Sequence, residues 1–203
     1  MTEEATNRAE RHKARMQKMK AHVDSQVAQA TEERGIIVLL TGNGKGKSSS
    51  AFGMVARALG HGQRVAVVQF IKGGWDCGEQ KFFMDHPRVS FHVMATGFTW
   101  ETQNRDSDTE AAQSVWEQGK ALLQDESIDL VIFDEMTYMF KFDYLSLDEV
   151  LESLQQRPHR QNVVITGRGA QKSLIELADT VTELGDIKHA FRAGIKAQQG
   201  IEF

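Results

Sequence analysis

Lys47 and Ser48 follow a glycine-rich turn, Gly42-Asn43-Gly44-Lys45-Gly46, inside the run IIVLLTGNGKGKSSSAFGMVARALG. An apolar strand, a turn and a helix in that order are the context that a phosphate-binding P-loop requires. Glycines let the backbone curl so that successive N–H groups face phosphate oxygens, and the helix that follows presents its positive end to the same charge. Lys47 is then expected to reach the terminal phosphates, and the Ser48 hydroxyl to bind Mg²⁺ or Mn²⁺. The spacing departs from G-x-x-x-x-G-K-[ST], because counting back from Gly46 puts Thr41 in the first position. The loop is therefore one residue tighter between its outer glycines, with Gly42 taking the early turn and Lys45 adding a second cation.

A second grouping is the acid pair Asp134 and Glu135, which closes the run DLVIFDEMTY. Acids at the carboxyl end of a buried strand beside a P-loop hold Mg²⁺ directly or through water. The sequence leaves open which of the two touches the metal. Together the groupings predict an ATP or GTP binder with Mg²⁺; the lack of an N-K-x-D motif disfavours GTP, and no kinase signature or protein nucleophile is recognisable. Arg168, between Gly167 and Gly169, is a further candidate for the nucleotide or a second substrate, as are Gln69, Lys72 and Trp75 after the second strand. Phe98 and Trp100 flank Thr99 in a loop where two large rings are not normally exposed. Cys77, His61 and His189 have no partner at ligand spacing and read as surface or structural groups.

These residues need a scaffold, and the pattern supplies one. From Gly35 onward, short β-branched runs alternate with helical segments, as in a parallel sheet with crossover helices. The predicted strands are 36–40, 65–70, 89–94, 128–133, 163–166 and, weakly, 180–184. Several are apolar throughout, as expected where helices cover both faces. A helix over 48–59 is expected to close on Gly60, while Ser107 with Glu110 and Ser146 with Glu149 read as capping boxes. The predicted fold is α/β, a single P-loop domain over 35–203. Its open, mostly parallel sheet has about five or six strands with helices on both faces. Residues 1–34 form an N-terminal arm whose Met16, Met19, Val23, Val27 and Ala30 recur at helical spacing. Arg8, Arg11, Lys13, Arg15, Lys18 and Lys20 face only one acid, Glu10, between positions 8 and 22. That arm is either a solvated helix or a flap bringing positive charge near a phosphate-bearing site. The tail after Leu184 shows no clear period.

The chain has 203 residues, 40% of them hydrophobic, and a net charge of −4. No overall positive field draws it to nucleic acid or anionic lipid, so an acidic ligand must be met locally. No stretch has the roughly 18 apolar residues of a membrane span, and the N-terminus lacks a signal-peptide core, which predicts a cytoplasmic protein. With one cysteine there is no internal disulfide.

The runs TGNGKGKSSSAFG, VAVVQFIKGGW, MATGFTWETQN, FDEMTYM, VVITGRGA and KHAFRAGIKAQQGIEF closely resemble the ATP:corrinoid adenosyltransferase family of the cobalamin pathway. The phosphate loop alone is moderately specific, whereas its combination with MATGFTW and KAQQGIEF is very specific. The resemblance implies transfer of the 5′-deoxyadenosyl group of ATP to the cobalt of a reduced Co(I) corrinoid with release of triphosphate, in cobalamin biosynthesis or salvage. Cobalt is then the nucleophile, which fits the lack of one in the protein. Gly42, Asn43, Gly44, Lys45, Gly46, Lys47, Ser48 and Arg168 are expected to bind ATP, and Ser48, Asp134 and Glu135 the metal. Phe98 and Trp100 are expected to form an apolar floor that displaces the corrinoid's lower axial ligand. Ser48 stands where the family more often has threonine. The resemblance also implies a homodimer, with the N-terminal helix over a neighbouring active site, and a reduced flavoprotein such as a flavodoxin as electron donor. The rivals are a P-loop ATP hydrolase, which would release phosphate without corrinoid, and a nucleic-acid-binding module with steep salt dependence.

Overall fold

A computed structural model describes residues 3–71, 77–94 and 104–202, in two compact units that divide after Glu33. The first unit is helix α1, Glu3–Gln29, on which Met16, Met19, Val23 and Val27 are exposed. Lys20 and Asp24, one turn apart, form an ion pair at 2.6 Å; such exposed pairs add only about 0.3–0.5 kcal/mol.

The second unit is built on six strands: β1 Ile37–Thr41, β2 Val65–Gln69, β3 Val89–Val93, β4 Leu130–Asp134, β5 Asn162–Thr166 and β6 Thr180–Glu183. They lie in the order β3-β2-β4-β5-β1-β6, and every pairing is parallel. The helices are α2 Lys47–Gly60, α3 Gly78–Phe83, α4 Arg105–Gln124, α5 Thr137–Lys141, α6 Leu147–Gln155 and α7 Lys172–Leu177, with a 3₁₀ turn at Ala190–Ala193. The predicted sheet and its six strands are present, with boundaries shifted by one or two residues.

Alternation along the central strands assigns the two faces. Leu39, Val68, Phe133 and Ile165 pack with α4, α5, α6 and α7 residues such as Trp116, Met139, Leu154 and Leu174. Their neighbours Leu40, Val67, Ile132 and Val164 pack with Phe52 and Val55 of α2 and Phe83 of α3. A strand covered on both sides must be apolar at every position, which is why β1, β2 and β4 read as unbroken runs. The edge strand β6 is exposed along its length, and its weak signal in the sequence follows from that.

Local chemistry corrects three expectations. Helix α2 runs through Gly60 instead of being closed by it: His61 is its C-cap and Gly62, at φ +74°, reverses the chain. The Gln63 N–H donates to Ala58 O and the Gly62 N–H to Leu59 O, a Schellman closure that needs its glycine one residue past the cap. Helix α4 is capped by Asn104 rather than Ser107, and the Ser107 N–H donates to Asn104 Oδ1 at 3.3 Å. Asn104 reaches the orphan donors first, leaving Ser107 inside the first turn. Ser146 does cap α6, accepting from the Glu149 N–H. The Glu149 carboxylate instead accepts from Trp116 Nε1 at 3.2 Å and Lys120 Nζ at 2.7 Å, tying α6 to α4.

Candidate functional site

All six strands point the same way, so the residues ending them share one edge of the sheet. Gln69 is in register with Asp134, Phe133 with Ile165 and Leu40 with Thr166, which puts Gln69, Asp134, Thr166 and Thr41 in adjacent places along that edge. Ligands of open α/β sheets bind there, beyond the carboxyl ends of the strands.

The loop leaves β1 at Thr41 and enters α2 at Lys47. Gly42 and Gly46 have φ of +95° and +114°, the left-handed region that a side chain resists. Gly42 and Gly44 are required for a second reason. A Cβ on Gly42 would lie 2.5 Å from Leu184 O, and one on Gly44 would lie 2.5 Å from Gly185 O. The backbone after β6 thus runs against the loop. It is held there by the Leu184 N–H to Thr41 O at 2.8 Å and the Gly44 N–H to Leu184 O at 2.7 Å. The Gly44 N–H is therefore committed to Leu184, and the loop's phosphate donors must come from its other amides.

Lys47 is 6% exposed, and its ammonium donates to Gly42 O at 3.0 Å and Gly44 O at 2.8 Å. Burial pulls its pKa below the ordinary lysine value; the carboxylates of Glu135 and Asp134 work against that, while Arg168 adds to it. The net arrangement is a cation pinned under the loop, already stripped of most of its water.

Asp134 is 2% exposed and gripped at both oxygens: Oδ1 accepts from Thr166 Oγ1 at 2.7 Å and Oδ2 from Gln69 Nε2 at 3.1 Å. Thr166 Oγ1 in turn accepts the Glu135 N–H at 2.9 Å. That bond steadies Glu135 at φ +57°, a conformation costing a residue with a Cβ about 1–2 kcal/mol. Glu135 Oε2 is buried and accepts no hydrogen bond among the described residues. Burial first, and then Asp134, push the Glu135 carboxyl up to about 7, with Lys47 and Arg168 opposing.

A hard divalent cation fits these donors. Glu135 offers a buried oxygen with no proton to accept, Asp134 is fixed beside it, and Ser48 lines the same cleft. Among the described residues no three His, Cys, Asp or Glu side chains converge. One or two carboxylates plus phosphate and water is the usual shell for Mg²⁺.

The buried carboxyl of Glu135 gives a pH prediction. The group's folded pKa lies above its ordinary value of 4.5, so its stabilising contribution is complete below pH 4.5 and is lost as pH rises to about 7. Without nucleotide or divalent cation, Glu135→Gln should match the wild type in unfolding free energy near pH 4.5. It should exceed it by roughly 3 kcal/mol at pH 8. A constant difference across urea titrations at these two pH values would refute the assignment.

Arg168 sits on a turn fastened to the same edge. The Gly167 N–H donates to Leu40 O at 3.2 Å, and Arg168 O accepts from Thr137 Oγ1 at 2.9 Å. With the loop and both acids, Arg168 lines a cleft of about 810 Å³. Phe52, Ile71, Phe82 and Phe83 give the cleft an apolar wall, and His189, Ala197, Gly200, Ile201 and Glu202 line it from the tail. His189 also uses Nδ1 to accept the Phe191 N–H at 3.2 Å. His61, by contrast, is an exposed helix cap. Cys77 lines the cleft half-buried, its thiol pushed up by burial. Lys72, Trp75, Phe98 and Trp100 fall outside the described residues.

Sequence reasoning did not single out Thr166, Thr137, Leu184 or Gly185, and it left the role of the tail open. Thr166 carried a readable signal, a polar residue closing an apolar strand at the same edge as Asp134. The others act through backbone contacts or long-range packing, which leave no pattern.

Residues 33–203 match the family described as ATP:corrinoid adenosyltransferase BtuR/CobO/CobP, and residues 1–27 match the family Cob(I)alamin adenosyltransferase N terminal. The corrinoid adenosyltransferase of Escherichia coli strain K12 is 57% identical over 194 residues, covering 96% of this chain and 98% of that one. The corrinoid adenosyltransferase CobA of Salmonella typhimurium has the same identity and coverage. That of Pseudomonas aeruginosa is 56% identical over 201 residues, 98% of this chain and 99% of the relative.

Proposed function

Because this chain belongs to the ATP:corrinoid adenosyltransferase family, we propose that the cleft at the carboxyl edge of its sheet holds ATP, with the triphosphate on the loop from Gly42 to Ser48. The protein transfers the adenosyl group of ATP to a corrinoid in cobalamin synthesis. The observation that carries the reading is the buried Lys47 under a glycine loop, with Asp134, Glu135 and Arg168 around one cleft.

In the transfer the Co(I) electron pair forms a bond to carbon 5′ of ATP, and the C5′–O bond breaks with its electrons leaving on triphosphate. No protein nucleophile is needed. The chain's work is electrostatic: Lys47, Lys45, Arg168 and the free loop amides face a leaving group that gains charge as it departs. Ser48, Asp134 and Glu135 would hold Mg²⁺ or Mn²⁺, which when bound supplies further neutralisation of the triphosphate. For Phe98 and Trp100, which lie outside the described residues, the family resemblance implies a corrinoid-side role, displacement of the lower axial ligand so that Co(II) is more easily reduced.

The protein acts in the cytoplasm as a homodimer and takes its electron from a reduced flavoprotein such as a flavodoxin. The exposed Met16, Met19, Val23 and Val27 of α1 support an arm that needs a surface to cover. Among the described residues no helix is long and apolar enough to cross a membrane.

The test is anaerobic mixing with ATP, Mg²⁺ and chemically reduced Co(I) corrinoid. A light-sensitive alkyl-cobalt spectrum with stoichiometric triphosphate is expected. Orthophosphate release independent of corrinoid would overturn the reading in favour of an ATP hydrolase. Phe98→Ala and Trp100→Ala should lose an order of magnitude or more when a flavoprotein must reduce Co(II), and far less when Co(I) is supplied. Equal losses under both conditions would remove the two rings from the reduction step.

A further inference from the structure

Gln69 ends β2 beside Asp134 and is 6% exposed. A carboxylate only accepts hydrogen bonds, so the side-chain NH₂ must be the group facing Asp134 Oδ2. This leaves Oε1 as the amide's one acceptor, on a residue that lines the cleft. Oε1 is buried and accepts no hydrogen bond among the described residues. The neighbouring strand end carries a second atom in the same condition, Glu135 Oε2. Two buried acceptors at one sheet edge, each lacking a donor, ask for a ligand that brings O–H or N–H groups.

We propose that Gln69 is a positioning residue for the hydrated cation of the nucleotide complex, its Oε1 accepting from a cation-bound water. A cation-bound water is polarised and carries two hydrogens, so it can serve Gln69 Oε1 and a carboxylate oxygen together. A neutral amide suits this place better than a third acid. It accepts from water without adding a third negative charge beside Asp134 and Glu135, and its NH₂ holds Asp134 in the orientation that Thr166 also enforces. Gln69 therefore acts on the cation through water on one side and through Asp134 on the other. Groups of this kind typically change metal affinity 10- to 100-fold when removed.

The proposal rests on reading the cleft as a site for ATP with a divalent cation. The experiment uses the full-length protein, Mn²⁺ and a non-transferable ATP analogue with a methylene in place of the C5′ ester oxygen. Mn²⁺ affinity is read by electron paramagnetic resonance, and analogue affinity by equilibrium dialysis in chelator. For Gln69→Leu, Mn²⁺ dissociation from the ternary complex should become at least about tenfold easier, with analogue affinity in chelator unchanged. Gln69→Lys keeps a donor toward Asp134 but has no acceptor, and it should show the same loss. If Gln69→Lys retains wild-type Mn²⁺ affinity, Oε1 has no such role. If analogue affinity in chelator falls in both variants, Oε1 serves a nucleotide hydroxyl or amine, and the proposal is wrong. Lower thermal stability with both affinities intact makes Gln69 purely structural and likewise overturns it. A wild type that binds neither Mn²⁺ nor analogue would instead sink the ATP-site reading itself, and this proposal with it.

Discussion

Lys47→Ala should lower the single-turnover rate of triphosphate release by about 10²–10³-fold, the range seen when one preorganised charge donor is removed from a dry site. Two effects add. The departing triphosphate loses a cation that burial has already desolvated, and the carbonyls of Gly42 and Gly44 lose the ammonium that holds them. The fold should survive, because the two apolar clusters that cover the faces of the sheet are assembled from other residues. Lys47→Arg should not rescue the rate: the site, 6% exposed, is shaped for a point charge bound to two loop carbonyls, and a planar fork does not fit it. Single-turnover measurements at saturating ATP check this, and a loss below tenfold would move the main electrostatic role to Lys45 or Arg168.

The second large effect is expected at Gly44. An alanine Cβ there would lie 2.5 Å from Gly185 O and 2.7 Å from Leu184 O, both backbone atoms that cannot swing aside. The loop or the segment after β6 must move, and displacements of about 1 Å at such sites can cost 10²-fold. ATP affinity should fall by about that factor in calorimetry, together with a lower unfolding midpoint. Gly53→Ala is the control. It lies in α2 with nothing within 4 Å of its added Cβ, so it should keep full affinity and gain about 0.5–1 kcal/mol of stability. Equal behaviour of the two variants would mean that the loop does not depend on its contact with Leu184 and Gly185.

The contrast between these glycines shows what could be read from the sequence. The phosphate loop, the acid pair and the strands were legible because each is a local pattern: a turn between strand and helix, an acid after four apolar residues, runs covered on both faces. The glycine that closes α2 was misassigned because Gly60 and Gly62 look alike in sequence, and only the Schellman bonds to Ala58 and Leu59 decide between them. The cap of α4 was misplaced because Asn104 and Ser107 both suit the role, and the choice depends on where the helix starts. Gln69 was noticed as a strand-end residue, but its grip on Asp134 needs the β2–β4 register. That Gly44 spends its N–H on Leu184 was invisible, since the partner lies far along the chain.

Strand β1, which carries the phosphate loop, lies between β5 and β6, the last two strands of the sheet. A ribosome finishes β1 early, yet its first neighbour, β5, exists only once the chain has been made past residue 166, and the second, β6, only past residue 183. During that interval Ile37, Val38, Leu39 and Leu40, all buried in the finished protein, have no sheet to join. Pairings so distant in sequence form slowly, and exposed apolar strands invite association while they wait. The nucleotide site is thus completed at the end of synthesis, when Leu184 reaches Gly44. A nascent chain stalled before that point should hold most of the sheet's β2–β3–β4 half and no affinity for ATP.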